Sequence, residues 1–467
     1  MKSINPHIFR EYDIRGVVGR DLTESLLKEL GMAFAGHVRE ASGKGDARIL
    51  VVTGRDGRIS SSCLSAALVE GLAQGGVDVI DVGLGPSPHL YFATHHFAAD
   101  AGIMLTGSHN PPDYNGLKMG RAGGSVYGAE IQELKARLER GVNPSNHPGK
   151  IRREDILELY LDRVAQGFRP GRPLKVVLDC GNGAAGVAAA SLLKRLPGIT
   201  GDILFAEVDG SFPNHHPDPT LPENLVALRQ RMVETGAELG IAFDGDGDRL
   251  GALDDRGRIV WGDRLMILFA REILKERPGA TIIGDAKCSQ LLFDAVAAAG
   301  GKPLMWKTGH SLIKSKMRET GAPLAGEMSG HLFFADRYLG YDDALYGAVR
   351  LMELVAGGTT PLSARLQDLP EVHATPELRI DCPDHLKFQV MAQVKAILEK
   401  QQADISTVDG VRVKTATGWW LLRVSNTQPA LVARVEANSR AGVEAMANEV
   451  AALLLPLGVT FPAWETA

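Results

Sequence analysis

Three α/β units of similar kind, followed by a smaller α+β unit, make up the architecture that this sequence predicts. Three observations carry the prediction. Up to about residue 370, short apolar runs alternate with helical patterns, which argues for crossover units and mainly parallel or mixed sheets. Near 370 the pattern changes to strands joined by short turns with flanking helices. A chain of 467 residues suggests about three domains at roughly 150 residues each, and the change near 370 raises that to four.

The elements follow in order. ILVVTGRD (49–56) reads as a strand ending in a polar turn, and VDVIDVG (77–83) and AGIMLTG (101–107) repeat the form. Residues 61–75 are helix-like, and EIQELKARLER (130–140) has the i, i+4 apolar spacing of an amphipathic helix. GVNPSNHPGK (141–150) is a linker by composition. A second unit runs through LKVVLD (174–179), ILFAEV (203–208) and LGIAFD (239–244). A third holds TIIGDAK (281–287), KPLMWKTG (302–309) and LAGEMSGHLFF (324–334). TPELRIDC (375–382), a helix over 385–402, two β-like runs (411–425 and 430–437) and an apolar helix (442–455) complete the chain. The expected domains are 1–150, 151–258, 259–370 and 371–467. No fixed-period repeat is present, although three similar units fit divergent copies.

Composition narrows the function classes. The formal charge of −5 lacks the basic excess of a nucleic-acid binder. No run approaches the roughly 18 apolar residues of a spanning helix, and charge interrupts the N-terminus before any signal-peptide core forms. Four cysteines without paired spacing argue against a zinc ribbon or disulfide scaffold and suit a reducing compartment, so a cytoplasmic protein is expected. Glycine and proline make up about a sixth of the chain, above the roughly 12% usual, and the glycines cluster where strands end. In open parallel sheets, ligands gather at those strand ends.

Four such loops stand out. In TGSHNPPDYNGLKM (106–119), Ser108 follows a glycine directly after a strand, and two prolines stiffen the turn behind it. A serine held rigidly there suits a nucleophile or phosphate carrier, or simply an Asn-Pro turn. In DGDGDR (244–249), Asp244, Asp246 and Asp248 would lie about 6.6 Å apart along a straight strand, too far to share one cation. The backbone must curl, which Gly245 and Gly247 permit. Three carboxylates repel unless a divalent cation neutralises them, so Mg2+ or a similar ion is expected, with a solvated acidic turn as the alternative. An EF-hand fails, since its sixth position is Arg249 and its twelfth Asp255. In GEMSGH (326–331), Glu327, Ser329 and His331 alternate and would project together from an extended loop, a polar set suited to sugar hydroxyls or an exposed turn. RVSNTQP (423–429) offers Arg423, Ser425, Asn426 and Thr427 as donors without negative charge, which fits a phosphate cradle or a hairpin turn. Gly181, Gly183 and Gly186 match a dinucleotide fingerprint by spacing. Hydride transfer, however, gives the triple aspartate no task.

Together these loops resemble the α-D-phosphohexomutase superfamily, specifically its bacterial phosphomannomutase/phosphoglucomutase branch. FREYDIRG (9–16), TGSHNPPDYNG, DGDGDR, GEMSGH and RVSNTQP occur in the expected order over nearly the whole chain, joined by FPNHHPDP (212–219) and KTGHSLIK (307–314). The resemblance implies four domains around one cleft: a phosphoserine loop, a metal loop, a sugar-recognition loop and a phosphate-binding loop, in chain order. It implies reversible movement of phosphate between O1 and O6 of a hexose, with Ser108 carried as phosphoserine and a hexose 1,6-bisphosphate as intermediate and activator. Mg2+ would bridge Asp244, Asp246, Asp248 and a phosphoserine oxygen, and Arg249 would bind the transferring phosphoryl group. Lys118 and His331 are the motif-matched acid–base candidates. Arg10, Tyr12, Arg15, His109, Lys287 and His310 also match active-site strings, with Arg15 on the catalytic side.

Sugar recognition has a physical argument of its own. A half-turn that exchanges C1 with C6 roughly exchanges O3 with O4, so Glu327 can accept from both hydroxyls in either pose. Neither contact inspects C2, so glucose and mannose 1- and 6-phosphates are both expected as ligands. Gln428 departs from a glutamate or threonine found in some relatives, which bears on phosphate affinity rather than on the reaction. The expected partners are these hexose phosphates alone, without nucleic acid or membrane, acting on a monomer. A metal-dependent sugar phosphatase would share the serine and aspartates but release inorganic phosphate. A non-catalytic sugar-phosphate-binding protein should have lost Ser108 or an aspartate, and all are present.

Overall fold

Each of the first three units is built on one four-strand motif that no sequence repeat announces. The structure, a computed structural model, describes residues 4–45, 47–122, 124–425 and 429–464. In the first unit, Leu50–Arg55 pairs in parallel with Asp78–Leu84 on one side and Ala101–Leu105 on the other. Tyr114–Arg121 then runs antiparallel beside Ala101–Leu105. In the second, Leu174–Asp179 lies between parallel Ile199–Leu204 and Leu239–Phe243, with Leu250–Leu253 antiparallel at the side. In the third, Thr281–Asp285 lies between parallel Lys302–Trp306 and Leu324–Gly326, with Leu332–Phe334 antiparallel.

The helices Ser61–Gln74, Gly186–Leu193 and Gln290–Ala298 make the first crossover of each unit. Parallel strands need such a crossover, whereas an antiparallel pair can close through a loop. In every unit that loop joins the third strand to the fourth. Residues 106–113, 244–249 and 327–331 occupy it, so three unrelated sequences share one topological position.

The shared core sets the distances between those loops. Val51 and Val52 are neighbours on one strand and so face opposite sides of the sheet. Val51 joins a core of Leu27, Phe34 and Ile103 beneath the helix Glu24–Ser42. Val52 joins a larger core that continues through Leu178 and Ile241 of the second unit to Ile282 of the third. The fourth sheet is antiparallel, with Ala430–Ala437 and Gly418–Val424 at its centre. Its own core surrounds Trp420, Leu431 and Val435 and is covered by the helices Asp384–Lys400 and Arg440–Leu454. It meets the third unit through a small patch of Ala286, Trp419 and Leu421 and through Arg412, which donates to Ala286 O at 2.9 Å and Cys288 O at 3.0 Å.

Two expectations need revision. The strand read at 203–208 lies at Ile199–Leu204, and Phe205 ends it with a left-handed φ of 49°, unfavourable for a bulky residue. The strand Tyr114–Arg121 was not expected, because YNGLKMGR is poor in strand formers. Pairing with Ile14–Val17 on one side and Ala101–Leu105 on the other overrides that local preference. Among the described residues, no helix is long and apolar enough to cross a membrane.

Candidate active site

Ser108 sits at the end of Ala101–Leu105 with a φ of 49°, a conformation that an L-residue keeps only where its surroundings impose it. Those surroundings are polar and buried. Its N–H donates to Thr106 Oγ1 at 2.8 Å, and Gly107 N–H donates to Asp56 Oδ2 at 3.0 Å. The Arg58 guanidinium donates to four carbonyls of the same loop: Ser108 and Asn110 (2.8 and 2.5 Å), Pro111 and Tyr114 (2.5 and 3.0 Å). Neither Asp56 nor Arg58 was singled out in the sequence. Both lie in GRDGR just past a strand end, the same signal that marked the other loops. Arg58→Met should lower stability on the order of 3–5 kcal/mol, because it strands a buried carboxylate and four carbonyls. Arg58→Lys should restore only part of this, since one ammonium cannot span them. Denaturant melts of both variants test the claim, and a wild-type midpoint for Arg58→Met would refute it.

The acidic loop curls as its spacing requires. Asp244 Oδ1 accepts from Asp248 N–H at 3.0 Å and Arg249 N–H at 3.1 Å, and Gly247 turns the chain at a φ of 71°. Gly245 has a different purpose, since a Cβ there would lie 2.3 Å from Ser108 O. The two loops therefore touch, and Ser108 Oγ donates to Asp244 Oδ2 at 2.9 Å. Ser108 is 1% exposed and the three aspartates 0%.

Charge inside this cluster is unevenly compensated. The Lys118 ammonium donates to Asp246 Oδ2 at 2.7 Å and to Asp248 Oδ2. Burial alone would lower the Lys118 pKa, but Asp246, Asp248 and Asp244 raise it. Lys118 thus keeps its proton firmly. Burial beside Asp248 and Asp246 pushes the Asp244 carboxyl well above the usual range. Burial acts on Asp246 in the same sense, yet Lys118 and the Ser87 hydroxyl hold it below that range. Ser87, another residue that sequence reasoning missed, donates Oγ–H to Asp246 Oδ2 at 2.5 Å and N–H to Asp246 O at 2.7 Å.

The third loop differs from expectation. Residues 327–331 form a tight hairpin turn in which Gly330 N–H donates to Glu327 O at 3.0 Å, rather than an extended segment. Glu327 and Ser329 still face each other, with Ser329 Oγ donating to Glu327 Oε2 at 3.1 Å. His331 turns away from them, and its Nε2 accepts from Arg249 Nε at 3.0 Å. Gly309 N–H donates to Glu327 Oε1 at 2.8 Å, Tyr12 OH donates to Thr308 O at 2.9 Å, and the His310 ring stacks 5.8 Å from His331. Burial, then Lys314, holds the His310 pKa well below the usual imidazole value. Burial and the cations Arg249, Arg15 and Lys118 do the same for His109, whose Nδ1 lies 3.2 Å from Ser108 Oγ. Arg15 donates to Asp13 Oδ2 at 2.6 Å and to Asn110 of the serine loop.

The remaining candidates gather at the fourth unit. Lys287 donates to Glu377 Oε2 at 2.8 Å, and Arg423 to Asp409 Oδ2 at 2.8 Å. Asp409 Oδ2 also accepts from Thr308 N–H at 3.0 Å, which ties this group to the segment before His310. Lys387, unmarked in the sequence, donates to Ser425 O at 2.8 Å. Arg10 is half-buried with its charge felt by Asp384. Asn426 and Thr427 lie outside the described residues, as does Gln428.

Repeated α/β units whose matching loops bring a serine, three aspartates and a sugar-type polar set together define a phosphohexomutase. Domain models of one family match four consecutive pieces of the chain. They are phosphoglucomutase/phosphomannomutase alpha/beta/alpha domain I over residues 6–144, domain II over 158–257, domain III over 261–373 and the C-terminal domain over 377–453. The chain belongs to the phosphoglucomutase/phosphomannomutase family. It is 46% identical over 437 residues to a phosphomannomutase/phosphoglucomutase of Pseudomonas putida, covering 94% of this chain and 93% of that one. It is 44% identical over 457 residues to a phosphoglucomutase of Neisseria gonorrhoeae, covering 97% and 98%. A crystal structure of a phosphoglucomutase/phosphomannomutase family protein from Burkholderia thailandensis superposes with a TM-score of 0.89 at 43% identity, covering 99% of this chain and all of that one.

Proposed function

We propose that this phosphohexomutase interconverts the 1- and 6-phosphates of glucose and of mannose, carrying the phosphoryl group on Ser108. The observation that supports this most directly is the 2.9 Å contact of Ser108 Oγ with Asp244 inside a buried acidic triad. The same reading divides the chain into a serine domain (1–150), a metal domain (151–258), a sugar domain (259–370) and a phosphate domain (371–467).

The triad suits a hard divalent cation. Asp246 Oδ1 and Asp248 Oδ1 are buried without a hydrogen-bond partner among the described residues, and one oxygen from each aspartate falls within 4.8 Å of the others. All the donors are carboxylate oxygens, which suit a hard cation such as Mg2+. Bound there, Mg2+ would offset negative charge on the transferring phosphoryl oxygens.

The chain's own residues supply the rest. In the first half-reaction the sugar hydroxyl attacks the phosphorus on Ser108, so a new O–P bond forms as the Ser108 Oγ–P bond breaks. His331 Nε2 takes the hydroxyl proton, and Lys118 gives a proton to the departing Ser108 oxygen. A serine alkoxide is a stronger base than an amine, so that transfer runs downhill although Lys118 holds its proton tightly. The resulting hexose 1,6-bisphosphate reverses its pose, and the second half-reaction returns both protons. Arg249 meets the transferring phosphoryl group, while Arg423, Ser425, Lys287 and the 426–427 segment meet the distal phosphate. Arg15, Tyr12, His109 and His310 line the reacting end, and Arg10 stands with the fourth-unit group that meets the distal phosphate. Glu327, with Ser329 beside it, takes O3 and O4 in either pose and leaves C2 unread.

The test is conversion of glucose 1-phosphate and mannose 1-phosphate, followed by 31P NMR, with Mg2+ and catalytic hexose 1,6-bisphosphate. Both should yield 6-phosphates without stoichiometric inorganic phosphate, and Glu327→Ala should lower kcat/KM for both by about 10- to 100-fold. Release of inorganic phosphate alone would mark a phosphatase. Loss confined to one sugar would overturn the argument about C2.

A further inference from the structure

The Arg249–His331 contact fixes more than a distance. An arginine Nε always carries its proton, so it can only donate. His331 Nε2, 3.0 Å away, must therefore present a lone pair, and the proton of the neutral ring lies on Nδ1. That nitrogen faces two carboxylates, Asp342 Oδ2 at 3.2 Å and, farther off, Asp248 Oδ1 at 3.6 Å, at ion-pair distance but without hydrogen-bond alignment in this arrangement. Asp342 was no part of any sequence motif and has no part in the chemistry described above.

We propose that Asp342 is a positioning residue that holds the His331 proton on Nδ1 and so keeps Nε2 bare for the sugar hydroxyl. The inference rests on the reading of His331 as the group that handles that proton.

The setting of Asp342 fits this role. Its side chain is 0% exposed, and its other oxygen, Oδ1, accepts from Lys314 Nζ at 2.9 Å. His310 Nδ1 stands 3.8 Å from Oδ2, beyond hydrogen-bond reach. The next residue, Asp343, caps the helix Ala344–Ala356 by accepting from Tyr346 N–H at 2.9 Å, which anchors the segment from below. A backbone bridge between Phe333 and Asp342 fixes it from the side, and a second bridge joins Arg249 to His331. With both backbones pinned, the imidazole retains only its ring flip and its tautomer. A flipped ring would set C–H groups against Arg249 and Asp342. The opposite tautomer would set N–H against N–H at one end and a lone pair against a carboxylate at the other. Only the Nδ1–H ring sets a lone pair toward Arg249 and a proton toward Asp342. When Arg249 turns toward a phosphoryl group, Nε2 is left unprotonated and free.

Asp342→Asn reverses the polarity of this contact at nearly constant shape. The carboxamide oxygen can still serve Lys314, and its NH2 then faces Nδ1 and favours the proton on Nε2. The expected result is a loss of kcat of roughly 10²- to 10⁴-fold, as for a wrong-tautomer histidine elsewhere, with KM changed less than about threefold. 15N NMR of the ring in the full chain should show Nδ1–H in the wild type; in the variant, where Arg249 at Nε2 and the carboxamide NH2 at Nδ1 oppose each other, part of the proton population should move to Nε2. In a His331→Ala background, Asp342→Asn should cost no further activity, whereas a merely structural role would lower activity in both backgrounds. A wild-type spectrum with the proton on Nε2, or an unchanged kcat in Asp342→Asn, overturns the proposal. A wild-type spectrum with the proton on Nε2 overturns the proposal even if Asp342→Asn fails to fold. Full turnover by His331→Ala would instead refute the role of His331, a separate failure that the ring spectrum distinguishes.

Discussion

Ser108→Ala should lose roughly 10⁴- to 10⁶-fold in kcat, and the intact-mass phosphate adduct mapped to residue 108 should vanish with it. The magnitude follows from covalent participation. Without Oγ no phosphoryl group is stored on this residue between the two half-reactions. Stability should move little. The substitution removes one hydrogen bond to Asp244, about 1 kcal/mol, and leaves the Arg58 scaffold of the loop intact. Ser108→Gly provides a second check, since glycine adopts the left-handed backbone without the cost of about 1–2 kcal/mol borne by other residues. It should be equally inactive yet melt no lower than Ser108→Ala. An adduct that persists in Ser108→Ala would assign the carrier to another residue.

Asp246→Asn should weaken Mg2+ binding by at least the 10- to 100-fold that loss of an outer partner costs elsewhere, with turnover falling in parallel. Asparagine keeps the shape of the side chain and an oxygen for Ser87, but it removes one of three negative charges. Lys118 retains Asp248, so no buried ammonium is stranded and the metal-free protein should stay within about 1 kcal/mol of wild type. Linkage makes the difference visible without an activity assay. At 100 times the wild-type Kd, Mg2+ stabilises by about 2.7 kcal/mol, whereas a variant binding 100-fold more weakly retains only about 0.4 kcal/mol. Thermal melts with and without Mg2+ read this directly. An equal Mg2+-induced shift in both proteins would exclude Asp246 as a ligand.

Access to Ser108 sets a condition on both experiments. At 1% exposure the serine is covered in this arrangement, in which Tyr12–Thr308 and Asp409–Thr308 join separate units.

What was legible in the sequence were segments whose meaning is local. DGDGDR encodes its own curl, because alternating acids on a straight strand cannot share an ion. The apolar runs within 49–56, 174–179 and 281–287 announce strands through their side-chain pattern alone. Tyr114–Arg121 went unread because its pairing partners, not its residues, make it a strand. GEMSGH was read as extended, and became a turn because Leu324–Gly326 and Leu332–Phe334 pair on either side.

The sequence by itself thus determined the class of fold, the acidic triad and the family-matched strings, since each rests on spacing within a few residues. The tertiary structure alone decided that Arg58 moulds the serine loop from 50 residues away, that Lys118 lodges among the aspartates, and that Asp342 faces His331. Arg58 and Lys118 lie in or beside strand-end loops that the sequence marks, but nothing local names the distant partners of these three charged residues. Only the shared core, by closing three sheets over one point, takes them out of water. There an unpaired charge is costly enough to fix its partner.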